Sequence, residues 1–385
     1  MTEIHGHADE GFGAVADAFA DNFERHGELG AGFSLYVDGR QRVDLWGGVA
    51  DRSTGEPWTD RTLQLVFSVT KGATAICVAK LVQSGQLSYD DTVARHWPEF
   101  AVNGKGDITV GQMMSHQAGL IGVDAPIGFD EIMAVTPVVE SLQQQAPIWP
   151  PGTAHGYHAL TYGWLAGELV RRVDGRRLGR FFADEVAAPL GLEFWIGLPE
   201  SHERRVSRLE SPPPLTDPQL IAMRAAVIGP GTNAHRALGL DGRVRSDGVD
   251  NDYNRRALHA SEMPAVNGIT NAGSVARMYA ATVGEVDGVR LLDAATMEAA
   301  RTERVSGPDL TLLASTRVGA GFWLHNDLAP MLQDGSFGHP GAGGSLGYAN
   351  PELGIGYGYV MNQMGRGIAG DIRTLGLNAA VLACL

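Results

Sequence analysis

A serine and a lysine three residues apart stand at the start of an apolar segment of the chain. Ser68 and Lys71 lie in Phe67-Ser-Val-Thr-Lys-Gly, and the largely apolar residues 73–84 that follow favour a helix ending before Gly85. Residues three apart share one face of a helix, so the Lys71 amine can approach the Ser68 hydroxyl. A helix N-terminus also offers unpaired backbone N–H groups and a positive dipole end. This combination is typical of a nucleophile whose attack creates an oxyanion.

The scarcity of lysine in the chain supports a functional role for Lys71. The chain contains 27 arginines but only three lysines, Lys71, Lys80 and Lys105. Arginine stays protonated in proteins, whereas a desolvated lysine can lose its proton and act as a base. The alternative interpretation is structural, namely a serine that caps the helix and a solvated lysine, since serine is a favoured N-cap. The spacing alone leaves both interpretations open.

Bulk properties limit the kinds of partner. The chain of 385 residues is long enough for two domains or one large composite domain. A net charge of −14 and a pI near 5.3 argue against nucleic acid and anionic membrane surfaces as partners. No apolar run reaches the roughly 18 residues of a membrane span, and the first residues lack the pattern of a secretory signal. We therefore expect a soluble, cytoplasmic protein.

The N-terminal part predicts a helix followed by a β-hairpin. Apolar residues recur at helical spacing in residues 12–26. Two β-rich runs, 32–37 and 42–46, flank Asp38-Gly39, and Asp-Gly between such runs is a strong hairpin signal. A short sheet segment at 65–67 then leads directly into the helix that begins with Ser68.

Helical patterns dominate residues 86–200. Thr109 is predicted to cap a helix that ends at Gly119. His116 near its C-terminus is interpreted as structural, because a histidine there can interact with the dipole and the last carbonyls; a catalytic role is the alternative. His155 and His158 have a short spacing that could suggest a metal. No carboxylate or cysteine cluster accompanies them, so we predict no metal site.

The second half predicts a covering segment followed by strands. Residues 211–262 are rich in proline, glycine and charge, which indicates an irregular surface segment of the kind that often forms lids or binding loops. A helix is predicted at 270–282, strands at 318–324 and 353–361, and a closing helix at about 368–384.

A second serine motif must be weighed against Ser68. Gly343-Gly-Ser-Leu-Gly fits the Gly-x-Ser-x-Gly elbow of α/β-hydrolases, which needs a strand before it and a helix after it. Here Asn350-Pro351 and a β-like run follow, and the chain contains no histidine after Ser345. We therefore reject Ser345 as the nucleophile and interpret the glycines as a tight turn.

Three ordered segments together resemble the serine β-lactamase and penicillin-binding superfamily, and most closely its family VIII carboxylesterase branch. They are Phe67-Ser-Val-Thr-Lys-Gly, Gly156-Tyr-His-Ala-Leu-Thr-Tyr-Gly and Gly338-His-Pro-Gly-Ala-Gly-Gly-Ser, with support from Met113-Met-Ser-His-Gln-Ala-Gly-Leu. The resemblance implies an α+β fold in which an α/β sandwich with an antiparallel sheet adjoins a mostly helical domain. We expect residues 1–67 and 271–385 to form the first part and residues 68–270 the second.

The resemblance also implies roles for individual residues. Ser68 would be the nucleophile, Lys71 its neighbouring base and Tyr157 the second member of the proton relay. A lysine cation next to the tyrosine would favour its phenolate. The oxyanion hole would come from the N–H groups of Ser68 and Ala342. The third motif would contact the substrate through His339 and Gly341. No metal or other cofactor is expected.

Departures from the family pattern narrow the predicted activity. Ala159 stands where an asparagine is frequent, His339 replaces the lysine that binds a substrate carboxylate in the lactamases, and Pro340 replaces a threonine. We therefore predict a serine carboxylesterase acting on small-molecule esters with short or medium acyl chains. A β-lactamase, amidase or acyltransferase is the first alternative and a non-catalytic binding protein the second. The sequence leaves homo-oligomerisation open.

Overall fold

The computed structural model describes residues 2–246, 248 and 251–385. Its helices are α1 (Gly13–Arg25), α2 (Val69–Gln83), α3 (Val93–His96), α4 (Val110–Met114), α5 (Phe129–Met133), α6 (Thr136–Gln144), α7 (Thr161–Asp174), α8 (Leu178–Phe182), α9 (Ala188–Leu190), α10 (Pro218–Ile228), α11 (Asn233–Gly239), α12 (Arg256–Ala260), α13 (Ala272–Val283), α14 (Ala294–Arg301) and α15 (Ile372–Cys384). Short 3-10 helices span Pro98–Ala101, Glu200–Arg205 and Asp252–Asn254, and a π-helical turn spans Ala183–Ala187.

The strands form two sheets within the described residues. They are β1 (Ile4–Ala8), β2 (Gly30–Val37), β3 (Arg40–Asp51), β4 (Glu56–Pro57), β5 (Gln64–Leu65), β6 (Phe194–Ile196), β7 (Gly268–Thr270), β8 (Val305–Pro308), β9 (Ser315–Val318), β10 (Trp323–Leu324), β11 (Phe337–Pro340), β12 (Leu346–Asn350) and β13 (Ile355–Met361). The larger sheet has the order β1-β3-β2-β13-β12-β11-β10-β9-β8, with β4 beside β3, and its neighbours pair antiparallel. The smaller one has the order β5-β7-β6.

The two ends of the chain meet at the centre of the larger sheet. Strands β2 and β13 pair from Val37 opposite Ile355 to Ala31 opposite Met361. The predicted hairpin is confirmed, since β2 and β3 are joined at Asp38 and Gly39, both with positive φ as the tight turn requires. Strand β3 extends beyond the predicted run and reaches Asp51.

Helices cover both faces of this sheet. The helix predicted at 270–282 is confirmed as α13. It packs against β2, β12 and β13 so closely that a Cβ at Gly356 or Gly358 would collide with the backbone of α13. On the opposite face α1 and α15 pack together over an apolar cluster that includes Phe33, Tyr357 and Leu377. The fold is therefore of the α+β class that the resemblance implies, with an antiparallel sheet between layers of helices.

The two-part division remains a proposal. Helix α2 contacts α7 and α8 of the proposed helical part and strands β11 and β12 of the larger sheet. The smaller sheet crosses the proposed boundary, because β5 from the first part pairs with β7 from the second. Helix α2, which begins next to Ser68 and carries Lys71, thus contacts both proposed parts of the fold.

Three sequence predictions need correction. The helix that Thr109 caps ends at Met114, because His116 turns into the left-handed region at φ 64°. The predicted strand 318–324 is two short strands, β9 and β10, separated by a turn that contains Gly321 with positive φ. The predicted irregular segment 211–262 contains three helices, α10, α11 and α12, of which the first two have their N-termini capped by Asp217 and Thr232. Residues 247, 249 and 250 of that segment lie outside the described residues.

Across the described part of the chain, no helix is both long and apolar enough to cross a bilayer.

Candidate active site

Ser68 lies at a turn between a strand and a helix. The residue follows β5 and occupies the N-cap position of α2, yet its side chain makes no capping hydrogen bond. Phe67 before it has φ 45°, an unusual value for a non-glycine residue, and its ring packs 4.7 Å from that of Tyr253. Such backbone strain is often found at functional sites. The alternative of a simple serine cap does not fit, because the Ser68 side chain makes no capping hydrogen bond.

The Ser68 hydroxyl contacts both residues with which the sequence predicts that it acts. Lys71 Nζ is 3.0 Å from Ser68 Oγ, and the Tyr157 hydroxyl donates a 2.7 Å hydrogen bond to the same oxygen. Lys71 and Tyr157 are buried, and Ser68 lies at the floor of a cavity. A hydroxyl within hydrogen-bonding distance of an amine and a phenol can pass its proton to one and receive a proton from the other.

The surroundings of Lys71 favour a neutral amine. Burial lowers the pKa of Lys71 well below its ordinary value of 10.5. Its Nζ donates to the carbonyl oxygens of Ala159 at 2.7 Å and Ala265 at 3.1 Å. A neutral amine can donate its two N–H groups to these carbonyls and keep its lone pair for the Ser68 hydroxyl. The geometry therefore suits a base that accepts the Ser68 proton.

The surroundings of Tyr157 favour its neutral phenol over the predicted phenolate. Burial raises the pKa of Tyr157 above its ordinary value of 10; the hydrogen bond to Ser68 opposes this effect and the nearby Asp309 carboxylate adds to it. Lys71 Nζ lies 4.7 Å from the centre of the Tyr157 ring. A lysine cation formed during the reaction would be stabilised by that ring face.

Asp309 holds the backbone of the Tyr157 loop. Its buried Oδ1 accepts hydrogen bonds from the N–H groups of Tyr157 at 3.1 Å, Thr311 at 2.8 Å and Leu312 at 2.9 Å. His155 adds a second link, because its Nε2 lies 2.8 Å from Thr316 Oγ1. Sequence reasoning missed Asp309, since an isolated aspartate in a loop carries no local signal of its distant partner.

The histidines near Tyr157 have structural roles. His116 Nδ1 accepts the N–H of His158, and the His116 ring packs edge-on against that of Tyr157 at 5.1 Å. His158 contacts the Gly156 carbonyl through Nδ1 and accepts the Leu120 N–H through Nε2, and burial lowers its pKa to about 4. Neither ring nitrogen of His158 is free to bind a metal. The interpretation of His116 as structural fits this geometry.

The turn between β11 and β12 presents Ala342 to the site. Neighbouring amides are occupied, since Gly341 N–H donates to Ser345 O and Gly343 N–H to Gly367 O. For the N–H groups of Ser68 and Ala342, no acceptor is found in the part of the chain that the structure describes. Both residues line the same cavity. This arrangement supports the predicted oxyanion hole, which remains a proposal.

A buried ionic network supports that turn. Arg373 in α15 donates to the Gly343 carbonyl at 2.6 Å, adjacent to Ala342. Its guanidinium also pairs with Glu28 at 3.0 Å and Asp371 at 2.8 Å. No local sequence pattern predicts this network, because Glu28 and Arg373 come from opposite ends of the chain.

The predicted substrate contacts of His339 and Gly341 require correction. His339 is buried behind the site, with Nδ1 2.7 Å from the Pro340 carbonyl oxygen and its ring 5.1 Å from Trp323. Gly341 packs against Val66, where a Cβ would collide with the carbonyl oxygen. Neither residue lines the cavity over Ser68. Their positions indicate structural roles in place of substrate binding.

The cavity above Ser68 has a volume of about 550 Å³. One wall comes from α10 and α11, which the segment 211–262 supplies, and another from residues 364–368. Its apolar lining includes Phe67, Leu160, Leu215, Ile221, Ala225, Ile228, Leu238, Val244, Met364 and Ile368. Arginines 224, 245 and 366 lie among its polar lining residues. The sequence correctly placed the covering segment at the site but did not predict its helices.

Fold and site together are those of a serine hydrolase, with Ser68 in hydrogen-bonding contact with Lys71 and Tyr157. A family model described as Beta-lactamase matches residues 15–380. The chain belongs to this β-lactamase family, within its carboxylesterase branch.

Individual relatives agree with this assignment. The Esterase/beta-lactamase LipL of Mycobacterium tuberculosis is 34% identical over 372 residues, covering 94% of this chain and 83% of the relative. The crystal structure of a family VIII carboxylesterase is 37% identical with a TM-score of 0.87. A penicillin-binding protein homologue from Caulobacter crescentus is 38% identical with a TM-score of 0.88. Both structural matches cover 100% of the two chains compared.

Proposed function

We propose that the protein is a carboxylesterase that hydrolyses esters with short or medium acyl chains through an acyl-Ser68 intermediate. The observation that carries this proposal is the chain of contacts Tyr157 OH, Ser68 Oγ and Lys71 Nζ, at 2.7 and 3.0 Å, beneath a largely apolar cavity. The net charge of −14 supports a small-molecule substrate over nucleic acid or an anionic membrane surface. We also propose a cytoplasmic location.

Acylation begins with transfer of the Ser68 proton to neutral Lys71. Oγ attacks the ester carbonyl carbon, and the oxyanion accepts hydrogen bonds from the N–H groups of Ser68 and Ala342. The C–O bond to the alcohol then breaks, and Tyr157 donates its proton to the departing oxygen. Lys71 is now an ammonium and Tyr157 a phenolate. Both return to their neutral forms when a proton passes from Lys71 to Tyr157.

Deacylation repeats these steps with water in place of the alcohol. Water loses a proton to the Lys71–Tyr157 pair as it attacks the acyl carbonyl, and Ser68 regains a proton when its C–O bond breaks. The lining of the cavity suits an apolar acyl or alcohol group. Cleavage of β-lactams is the second candidate, favoured by the arginines among the lining residues, which could bind a substrate carboxylate.

Comparison of ester and β-lactam turnover tests the proposed substrate class. We expect kcat/KM for p-nitrophenyl butyrate to exceed that for the chromogenic cephalosporin nitrocefin by at least about 100-fold, a difference of ~2.7 kcal/mol in transition-state stabilisation. Ser68→Ala should remove both activities. This result would show that both substrates react at the same serine. A nitrocefin efficiency equal to or above that of the ester would contradict the carboxylesterase assignment and favour the lactamase.

The pKa directions predict how activity depends on pH. Acylation needs the neutral Lys71 amine, so activity is present above the lowered pKa of Lys71 and is lost as the pH falls through it. Because the pKa of Tyr157 is raised, its proton stays available up to about pH 10. We expect kcat/KM for p-nitrophenyl butyrate to reach a plateau well below pH 10, after subtraction of the uncatalysed rate. Activity that keeps rising tenfold per unit up to pH 10, in protein whose circular dichroism is unchanged, would contradict a neutral Lys71.

A further inference from the structure

The charged side chains that line the cavity above Ser68 have one sign. Arg224, Arg245 and Arg366 line it, and none of the other lining residues that the structure describes is an aspartate, a glutamate or a lysine. The whole chain has the opposite balance, with 44 acidic and 30 basic residues. A cleft lined by one sign of charge focuses its field into the cleft. The cavity therefore favours anions although the protein as a whole is acidic.

The three arginines come from separate parts of the chain. Arg224 lies in α10, Arg245 follows α11 and Arg366 follows β13. Like charges that are brought to one cavity repel each other, so this arrangement lowers the stability of the empty site. An anionic ligand removes that repulsion. The shared position of the arginines therefore indicates a role in binding.

Arg245 has a fixed backbone and an available side chain. Its N–H donates to Asp252 Oδ2 at 2.8 Å, and its carbonyl accepts the N–H of Asp252 at 2.9 Å. The Asp252 carboxylate is buried and pairs with Arg255 at 3.0 Å. The Arg245 guanidinium makes no ion pair or hydrogen bond with any other residue in the described ranges. It is a positioned cation that a ligand can reach.

Arg366 is held in place but keeps its charge. Its Nη2 donates to the Pro213 carbonyl oxygen and, at 3.4 Å, to that of Pro214. Carbonyl oxygens orient a guanidinium without neutralising it, and no carboxylate among the described residues pairs with Arg366. The remaining N–H groups of the fork can bind a carboxylate through two parallel hydrogen bonds.

The cavity is apolar next to Ser68 and cationic towards solvent. Phe67, Leu160 and Val266, which line it, are buried. The three arginines, in contrast, are exposed. A complementary ligand has its ester group at Ser68, an apolar chain along the buried lining, and an anionic group at the far end of that chain.

We propose that the preferred substrates are esters that carry a carboxylate at the far end of a short or medium apolar chain, bound by Arg245 and Arg366. The proposal rests on the carboxylesterase function proposed above and adds the charge of its substrate. Because the arginines are exposed, the carboxylate should raise kcat/KM by about tenfold at low salt, and high salt should screen this gain.

Two pairs of esters that differ only in charge test this proposal. The first pair is the p-nitrophenyl monoester of adipic acid and the same ester with a terminal carboxamide. The second pair, 4-carboxyphenyl butyrate and 4-carbamoylphenyl butyrate, places the charge on the alcohol. Each kcat/KM is divided by the rate of hydroxide-catalysed hydrolysis of the same ester. The acid-to-amide ratio is expected to be about ten in at least one pair at low salt, and to fall towards one in about 1 M NaCl. The pair that shows the preference identifies the end of the substrate that faces the arginines.

The variant Arg245→Gln/Arg366→Gln should bring this ratio close to one. The ratio is the readout because damage to the fold or to the reactive serine lowers both rates of a pair alike. Arg40→Gln is the matched control, since Arg40 is an exposed arginine in the hairpin of β2 and β3 and is not among the lining residues. It makes half of the same change in net charge and should keep the wild-type ratio.

Two results would overturn the proposal. One is a wild-type ratio at or below one in both pairs, and the other is a ratio that the double variant leaves unchanged. Turnover of the carboxamide ester by the wild type, lost in Ser68→Ala, would show in either case that the carboxylesterase function stands and only the charge preference fails. No turnover of any of the four esters would contradict both proposals.

Discussion

Replacing Ser68 by alanine is expected to lower kcat/KM for p-nitrophenyl butyrate by at least about 10⁴-fold, because no covalent acyl intermediate can then form. The change removes one oxygen, whose hydrogen bonds among the described residues are with Lys71 and Tyr157. The fold should therefore be retained. The residual rate, measured at high enzyme concentration and corrected for the uncatalysed reaction, gives the size of the loss.

Ser345→Ala is the matched control for this substitution. Ser345 is also a buried serine, it lies in the competing Gly-x-Ser-x-Gly motif, and its Oγ has no hydrogen-bond partner among the described residues. Its loss should leave kcat/KM within a few-fold of the wild type. Equal losses in the two variants, or full activity of Ser68→Ala, would remove Ser68 from the mechanism.

Lys71→Met and Lys71→Arg are both expected to lower kcat by about 10³-fold or more, because neither side chain can act as a neutral amine base. The arginine variant is the sharper of the two, since it supplies a permanent positive charge but cannot accept a proton near neutral pH. Single-turnover measurement of p-nitrophenol release separates this loss of acylation rate from any change in binding.

Lys80→Met provides the control within the same helix. Lys80 lies near the end of α2 and is partly exposed, whereas Lys71 is buried beside Ser68. The Lys80 variant should retain wild-type kcat and KM. Substantial activity in Lys71→Arg would contradict a neutral amine base and would favour a purely electrostatic role for the lysine.

Local sequence signals predicted the contact between Ser68 and Lys71 and the hairpin of the larger sheet. The three-residue spacing of Ser68 and Lys71 placed both on one face of α2, because helix geometry depends only on neighbouring residues. The Asp38-Gly39 turn likewise fixed the hairpin of β2 and β3. Tyr157 required the family resemblance, since nothing in residues 149–160 indicates that its hydroxyl lies 2.7 Å from a serine 89 positions earlier.

The side-chain direction of His339 and the protonation of Tyr157 depend on tertiary contacts that the sequence does not show. His339 matched the position of a substrate-binding residue, but a motif does not give the direction of a side chain, and the ring packs into the core beside Trp323. The protonation of Tyr157 depends on tertiary contacts in a similar way. A neighbouring lysine favours a phenolate only while the lysine is charged, and the burial of Lys71 could not be determined before its contacts were known.

The covering segment shows the limit of composition as a signal. Prolines and glycines in residues 211–262 indicated irregular structure, yet Pro218 stands at the first position of α10, where proline is tolerated, and Gly229 follows the last. These residues mark the ends of a helix, so composition without position gave the wrong secondary structure. The apolar residues of that helix then form one wall of the cavity.

Trapping of the acyl-enzyme tests the central claim most directly. The protein is mixed with p-nitrophenyl butyrate, quenched in acid within milliseconds, and analysed by intact mass and by peptide mapping. One butyryl group is expected per chain, on the peptide that contains Ser68, and none on the Ser68→Ala variant. A butyryl group on another residue, or butyrate release at full rate when fluorophosphonate has modified Ser68 completely, would contradict the mechanism.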